Sequence, residues 1–470
     1  MRIVIALLFV ITGCTKQNPQ ACCTDATDCM NVGLPTGTVC DDGLLCRGNR
    51  CVEETCSGTG DCDTTAPYCV KTDEGRCSET CTGDSQCPGF GQTDSGKFCV
   101  SGACVQCRVG MNDCPVDAPL CSPEGQCVAC VAHADCATGV CAGGACAMED
   151  EIAYVSTNGS PASDCTPTSP CNTIDRAQLV VPPRKYILIE QGTYSSTSAL
   201  TITGVRWLIG KGSVRPVLTR STDGPIVVVA GTVDAKLEHL EVFGARGTTT
   251  PAGHGIECHS PGAPKLELVD VLSRMNAVDG FNGLGCMAQI TRSQFSDNAQ
   301  YGISNGEGSS SIDRSTIINN GFTGVFVDAG LHTVTNSVIA RNRGWGVDLY
   351  STSNGSRVEF STIVDNGSAN LYGGVMCNLV GVSAAWPSNI IARNPGSQTV
   401  GPCVYPNSIV IDTDIAPLKF VRPDAPPYDY HIQAGSIAID AGTVSTIKTD
   451  FDGEARPFGA GTDVGADELH

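Results

Sequence analysis

Asparagine recurs in this chain at a fixed interval. Asn276, Asn298, Asn320 and Asn342 are spaced 22 residues apart, and Asn366 and Asn394 follow after 24 and 28. Four residues after each of the first four comes a glycine (Gly280, Gly302, Gly324, Gly346), then an apolar residue (Phe281, Ile303, Val325, Val347). Apolar pairs precede the later asparagines: Ile317-Ile318, Val338-Ile339, Ile363-Val364 and Ile390-Ile391. Ile290, Ile312, Val334 and Val358 form another apolar column one strand earlier. A period near 22 residues fits one coil of three short strands, the unit of a solenoid. Strands of successive coils then pair in parallel about 4.8 Å apart, so equivalent residues stack. Stacked amides can hydrogen-bond from coil to coil and satisfy groups that burial would leave costly. The asparagine is expected in the left-handed turn conformation, and the glycine at the positive φ of the next bend. No long amphipathic helix alternates with these segments, which argues against a doubly wound α/β fold. The expected class is all-β, a parallel β-helix.

Cysteine usage separates this region from what precedes it. Of 29 cysteines, 22 lie between Cys22 and Cys146 and only six follow. Four units carry four cysteines each: Cys56/Cys62/Cys69/Cys77, Cys81/Cys87/Cys99/Cys104, Cys107/Cys114/Cys121/Cys127 and Cys130/Cys136/Cys141/Cys146. A less regular unit of six, Cys22 to Cys51, comes first. Asp61, Asp113 and Asp135 each directly precede the second cysteine of their unit, and Asp28 likewise directly precedes Cys29. Gly, Thr, Asp and Pro fill the gaps, so crosslinks must replace a core. Four cysteines allow three pairings, and spacing does not choose among them. Cys104-x-x-Cys107 and Cys127-x-x-Cys130 have the look of a zinc ribbon, but each is the junction between two units. Disulfides are therefore expected, with no metal and no cofactor. Cys165 and Cys171 are expected to pair near the start of the solenoid.

The first 14 residues, MRIVIALLFVITGC, combine Arg2, a short apolar run and Ile11-Thr12-Gly13-Cys14. This string resembles the lipobox of bacterial lipoproteins. The resemblance implies an export signal over 1–13, lipid attachment at Cys14 and a linker over 14–21. Removing Cys14 leaves 28 cysteines, an even set free to pair. The apolar run is too short to span a bilayer, which takes about 20 residues. Thr15 follows the cysteine, a pattern similar to that of lipoproteins sorted to an outer membrane. Lys and Arg total 29 against 49 Asp and Glu, a net charge of -20. That balance opposes nucleic-acid binding and adsorption to anionic lipid headgroups. Membrane attachment then rests on the lipid alone.

The domains expected are a cysteine-rich repeat region, 22–150, and a β-helix, 151–470. Tyr154-Val-Ser-Thr-Asn-Gly159, Cys171-Asn-Thr-Ile174 and Glu190-Gln-Gly-Thr-Tyr194 resemble the opening of right-handed parallel β-helix proteins of the pectin-lyase-like superfamily. The resemblance implies a short capping helix over Thr173 to Val180, with Trp207-Leu-Ile-Gly210 in an early coil. Ala438-Ile-Asp-Ala-Gly442, Asp450-Phe-Asp-Gly453, Arg456-Pro457 and Asp463-Val-Gly-Ala-Asp467 resemble the C-terminal region of the choice-of-anchor Q group of bacterial surface proteins. The Asp450 segment is read as terminating the solenoid edge, which must be protected against strand addition.

Fold likeness does not fix activity, so each catalytic motif stands on its own. Gly253-His254-Gly255 is similar to a polygalacturonase element, but the accompanying aspartates and Arg-x-Lys are missing in the required order, so His254 reads as a turn residue. Asp297, Arg341, Asp365 and Arg393 each directly precede a ladder asparagine. Their mixed signs read as surface ion pairing rather than a calcium-lyase site. No catalytic residue is assigned.

The residues before the turn glycines are Asp279, Tyr301, Thr323 and Trp345, with Tyr372 following if a small insertion precedes Gly373. Alternation places this column outward. Tyr301, Trp345 and Tyr372, with Asp279 at one end, form a candidate glycan-binding stripe; the competing reading is that the rings pack on one another. The function expected is a non-catalytic surface lipoprotein that displays a glycan-binding or cell-surface-binding β-helix on a disulfide-linked stalk. The alternative is a cell-tethered polysaccharide lyase or glycoside hydrolase.

Overall fold

The computed structural model describes residues 97–470, apart from 112, 260, 353–354, 369–370 and 380–383. It also describes Cys81, Gly83, Asp84, Cys87 and five short strands before them. Cys14, the segments 1–13 and 14–21, and the pairing of Cys22 to Cys77 lie outside the described residues. Two compact units are present, 1–147 and 148–470.

In the first unit, one arrangement recurs. Each four-cysteine unit ends in a tight antiparallel hairpin in which its third and fourth cysteines face each other: Cys99 and Cys104, Cys121 and Cys127, Cys141 and Cys146. Disulfides join first to third and second to fourth: Cys81–Cys99 and Cys87–Cys104, Cys107–Cys121 and Cys114–Cys127, Cys130–Cys141 and Cys136–Cys146. In these three units the first cysteine, Cys81, Cys107 or Cys130, donates its N–H to a glycine carbonyl at or beside the hairpin turn (Gly102, Gly125, Gly144). The aspartate before the second cysteine ties the loop behind it. Asp135 accepts the N–H groups of Val131 and Ala132 at 2.9 and 2.8 Å, and these bonds hold its carboxyl below the usual range. Asp113 accepts the Arg108 N–H at 3.0 Å.

The second unit is an all-β solenoid of three parallel sheets with nine, ten and nine strands. One short helix, Ile174–Gln178, sits near its start, with Thr173 as N-cap accepting the Arg176 N–H. Each complete coil contributes one strand per sheet, and the coils at the two ends are partial. The expected columns stack in register: Ile290, Ile312, Val334 and Val358 in the first sheet, and Phe281, Ile303, Val325 and Val347 in the third. Phe295, Ile317, Ile339 and Ile363 stack likewise in the second. All are buried in one continuous core. The six remaining cysteines pair as Cys165–Cys171, Cys258–Cys286 and Cys377–Cys403.

The asparagine ladder forms between the second and third sheets. Asn298 donates both its N–H and its Nδ2 to Asn320 Oδ1, at 3.1 and 2.9 Å. The same pair of bonds links Asn276 to Asn298, Asn320 to Asn342, Asn342 to Asn366 and Asn366 to Asn394. Gln398 Oε1 closes the series on Asn394. Two details differ from expectation. The left-handed residue is the one before the asparagine: Met275, Asp297, Asn319, Arg341, Asp365 and Arg393 have φ between 51° and 60°. The ladder glycines do not have positive φ; their role is close approach. A Cβ on Gly302 would lie 2.7 Å from Asn320 Nδ2 and 2.8 Å from the Gly324 carbonyl oxygen.

A second ladder runs between the first and second sheets. The N–H groups of Ser293, Ser315 and Ser337 donate to the hydroxyls of Ser315, Ser337 and Ser361, at 3.2, 3.2 and 3.4 Å. Asn389 continues the line by accepting the Ser361 N–H at 3.0 Å. Buried turn amides are thus satisfied on two corners of the coil.

Contrary to expectation, the Asp450 segment pairs with no edge strand: the C-terminal strands Phe420–Arg422 and Asp429–Ile432 pair only with each other, and the C-terminal chain packs on a face of the solenoid. It folds back along the outer face of the second sheet. Ile318, Ala340, Val364, Ile390 and Ala392 point away from the interior and meet Ile415, Leu418, Phe420, Tyr430, Ile432 and Val464 in a second core. The Ala466 N–H donates to Thr362 Oγ1 at 3.0 Å, and the Gly465 N–H to the Ser388 carbonyl at 2.9 Å. The motif residues build this cap from inside. Asp450 accepts the N–H groups of Asp452, Gly453, Glu454 and Glu468. Arg456 donates to the carbonyls of Asp463, Gly465 and Ala466.

Candidate functional site

The predicted stripe lies beside the outer face of the third sheet, and the structure changes its geometry. Asp279 is 2% exposed and Trp345 is 8% exposed; Thr323 is buried and Tyr301 half-buried. Strand alternation fails at Asp279 and Thr323 because their side chains fold along the stack and bond the next coil, and at Trp345 because the ring packs on Tyr372. Asp279 Oδ1 accepts the Tyr301 N–H at 3.0 Å, and Thr323 Oγ1 accepts the Trp345 N–H at 3.2 Å. Tyr372 is not in the column. Asn366 precedes its glycine, Gly374, by eight residues rather than four. Val347 pairs with Val375, and the Gly346 N–H donates to the Gly373 carbonyl, so Gly373 takes the position expected for Tyr372.

The rings nevertheless converge. Tyr301 lies 5.2 Å from Phe322 and 5.3 Å from Phe326 between centroids. Tyr372 lies 5.2 Å from Phe322 and 6.3 Å from Trp345, both edge-on. The result is one aromatic cluster across several coils rather than separate platforms on alternate coils. Exposed side chains lie near it in register and sequence: Tyr350, 50% exposed, is two residues beyond Asp348, which pairs with Phe326, and Leu371, 72% exposed, precedes Tyr372. Asn282, Ser304, Phe326 and Asp348 stack as an outer column of the third sheet, with Asp328 opposite Tyr350 in the next.

Carboxylates surround the rings. Burial pushes Asp348 up to about 6, with the Asp328 charge adding to the shift. Burial also raises the Tyr301 phenol, helped by the charges of Asp279 and Asp348. His254 Nδ1 stands 3.2 Å from Asp279 Oδ2 at the turn of its coil. Asp279 also accepts from Asn282 Nδ2 at 3.1 Å. Such a face offers ring surface, amide and hydroxyl partners, and one carboxyl that titrates close to neutrality. Asn282, Phe326 and Asp348 share the 22-residue period; that spacing marks them in the sequence, whereas the turn glycines do not.

Arg341, Asp365 and Arg393 of the mixed-charge column form ion pairs and also receive the cap, whereas Asp297 makes no ion pair among the described residues. Asp365 accepts Arg393 Nη2 at 2.9 Å and the Tyr430 hydroxyl at 2.9 Å, while Arg393 pairs with Asp424 at 2.8 Å. Arg341 donates to the Pro423 carbonyl and lies 4.0 Å over the Tyr428 ring. Among the described residues no helix is long and apolar enough to cross a membrane.

A family model agrees with this architecture. Residues 233–395 match the family model described as the right handed beta helix region. Among solved structures the chain is similar to pectate lyase Pel9A, at 18% identity and TM-score 0.46, over 68% of this chain and 96% of that one. It is similar to a rhamnogalacturonan lyase at 12% identity and TM-score 0.36, over 58% and 91%. It is also similar to the A-module of Azotobacter vinelandii mannuronan C-5 epimerase AlgE4, at 14% identity and TM-score 0.29, over 49% and 86%. No curated protein sequence matches the chain. The family match and the three parallel sheets make the second unit a right-handed parallel β-helix, the architecture that the resemblance to the pectin-lyase-like superfamily implies.

Proposed function

We propose that this chain is a bacterial surface lipoprotein, anchored through Cys14, whose β-helix binds a glycan on the outer face of the third sheet. The carrying observation is the aromatic cluster of Tyr301, Phe322, Phe326, Trp345 and Tyr372, with exposed Tyr350 on the same strand as Asp348, the register partner of Phe326. Trp345 and Tyr372 support the platform from behind; Tyr350 and Phe326 meet the ligand. Asp279, Asp328 and Asp348 line the same face, and the chain carries a net charge of -20. Uronate-rich polymers are repelled by that field, so the ligand class is a neutral or amino-sugar polysaccharide. The disulfide-linked units serve as the stalk.

Binding should be measured with the full chain against neutral, amino-sugar and acidic polysaccharides. The expected result is saturable binding of one of the first two classes, weakened about tenfold by Tyr350→Ala, the order of one lost aromatic contact. Binding confined to acidic polymers, or indifferent to Tyr350→Ala and Phe326→Ala alike, overturns the reading. The anchor has its own check. Mass spectrometry of the N-terminal peptide should find acylated Cys14, and an unmodified peptide starting elsewhere removes it.

One observation favours a second reading. Asp348, held near 6 beside Asp328, has the protonation behaviour of a general acid or base. Under that reading the protein is a tethered lyase or hydrolase of the same glycan. Release of oligosaccharides that stops with Asp348→Asn would establish it.

A further inference from the structure

The cap contains a cluster that neither the glycan face nor the ladders use. Three segments of the C-terminal chain meet at His431. Asp429 and His431 lie on the strand Asp429–Ile432. Asp452 sits in the turn that Asp450 organises through its backbone bonds. Asp467 comes from the last residues of the chain and is 8% exposed. One ligand atom each from His431, Asp452 and Asp467 falls within a 4.8 Å group.

The imidazole is oriented as metal-bound histidines are. Its Nδ1 faces Asp429 Oδ1 at 2.6 Å, which leaves Nε2 to point at Asp452 Oδ2, 2.8 Å away. A carboxylate on the far ring nitrogen is the usual outer partner of a metal-ligating histidine, fixing tautomer and direction. Asp467 is placed independently: its Oδ2 accepts the Ile432 N–H at 2.7 Å, so its carboxylate is fixed against the histidine strand. Access exists on two sides. Asp452 is partly exposed, and a cleft of about 300 Å³ lined by Tyr428, Phe451, His431 and Asp467 opens beside the group.

We propose that His431 Nε2, Asp452 and Asp467 bind a divalent ion of the zinc class, with Asp429 as the positioning residue and water completing the shell. One nitrogen with two carboxylates is a zinc donor set, and ligand oxygens and nitrogens at about 2.0–2.2 Å from the ion would stand a little over 3 Å apart. Calcium prefers six to eight oxygens and gains little from imidazole. The ion would staple the hairpin strand, the Asp450 turn and the chain terminus, which together cover the second sheet. The site is independent of the glycan reading and stands or falls without it.

The test uses the full oxidised chain, tag removed and free thiols alkylated, stripped with chelator. Elemental analysis after equilibration with Zn²⁺ should find one ion per chain. Zn²⁺ should raise the Tm of the β-helix transition more than equal Ca²⁺ does. His431→Gln should abolish both effects, and Asp429→Asn should weaken binding about 10- to 100-fold. Asp452→Ala removes a surface carboxylate and keeps the test valid if His431→Gln fails to fold; it too should lose the ion. No zinc taken up by the parent, or zinc taken up unchanged by both His431→Gln and Asp452→Ala, overturns the site. Calcium bound in preference to zinc overturns the assignment of ion class.

Discussion

Between Cys81 and Cys146 six disulfides hold three small hairpin units, and the loops they close span from 18 residues down to 10. From Met148 onward three disulfides accompany a core that runs through every coil. A covalent bridge closes whatever length of chain lies between its ends, so the first region keeps its topology while its spacing drifts. A stacked ladder cannot drift: each Asn must meet the next at hydrogen-bond distance. The solenoid takes up extra residues mainly in turns, as in the interval from Asn366 to Gly374, and once as a bulge between Tyr350 and Thr352.

The largest separation between the two regions should appear on reduction. Losing one native bridge costs a small domain about 2–5 kcal/mol, and the hairpin units have little else. Reductant should make the segment 81–146 protease-sensitive while a β-helix fragment and its β-type circular dichroism persist. If the β signal disappears together with the hairpins, the solenoid depends on its bridges and the contrast fails.

Next comes the aromatic cluster, where packing and recognition can be told apart. Trp345 is buried against Tyr372, so Trp345→Ala should cost about 3–5 kcal/mol and lower the Tm clearly. Tyr350→Ala should leave the Tm nearly unchanged. An unchanged Tm for Trp345→Ala would restore the exposed stripe that alternation suggests.

The two ladders should differ in strength. Asn320→Ala removes the acceptor of two bonds from Asn298 and the donors to Asn342 and the Phe295 carbonyl. Stranding buried groups at this rate should cost about 2–4 kcal/mol. Ser315→Ala strands one N–H, that of Ser293, and should cost about 1–2 kcal/mol. Denaturant unfolding of the two variants compares them directly; equal losses would mean that serine and asparagine corners carry the same load.

These elements were unequally legible. The Asn-x-x-x-Gly period exposes the coil because a long-range repeat needs no knowledge of side-chain direction. Ser293, Ser315 and Ser337 keep the same period, yet serine is common in turns and its column carries no contrast with its surroundings. Ile318 and Val364 look like second members of apolar pairs; their outward position is the trace of a cap that sequence separation hides. Trp345 and Asp279 mislead because parity breaks at a bend. Tyr372 misleads because the turn before it is longer. Phe326 and Asp348 follow the repeat two residues after the turn glycines, where side chains again alternate between interior and surface.

The smallest effect concerns charge on the glycan face, where the solenoid differs from the hairpin units in burying a carboxyl without a matching donor. Asp348 is held near 6 by burial and by Asp328, whereas an unfolded chain has it near the ordinary value of about 3.9. The native state therefore keeps a proton that the unfolded state has lost between about pH 4 and pH 6. Stability from this group is greatest below that window, falls as pH rises through it, and is constant above. Asp348→Asn removes the titration. The Tm difference, variant minus parent, should be flat below about pH 4, increase in favour of the variant up to about pH 6, and stay level beyond. In the hairpin units the sign is opposite, because Asp135 is held ionised by backbone N–H groups and loses its contribution on acidification. A Tm difference for Asp348→Asn that does not change with pH would show that Asp348 is solvated, and would remove both its titration near neutrality and the case for it as an acid or base.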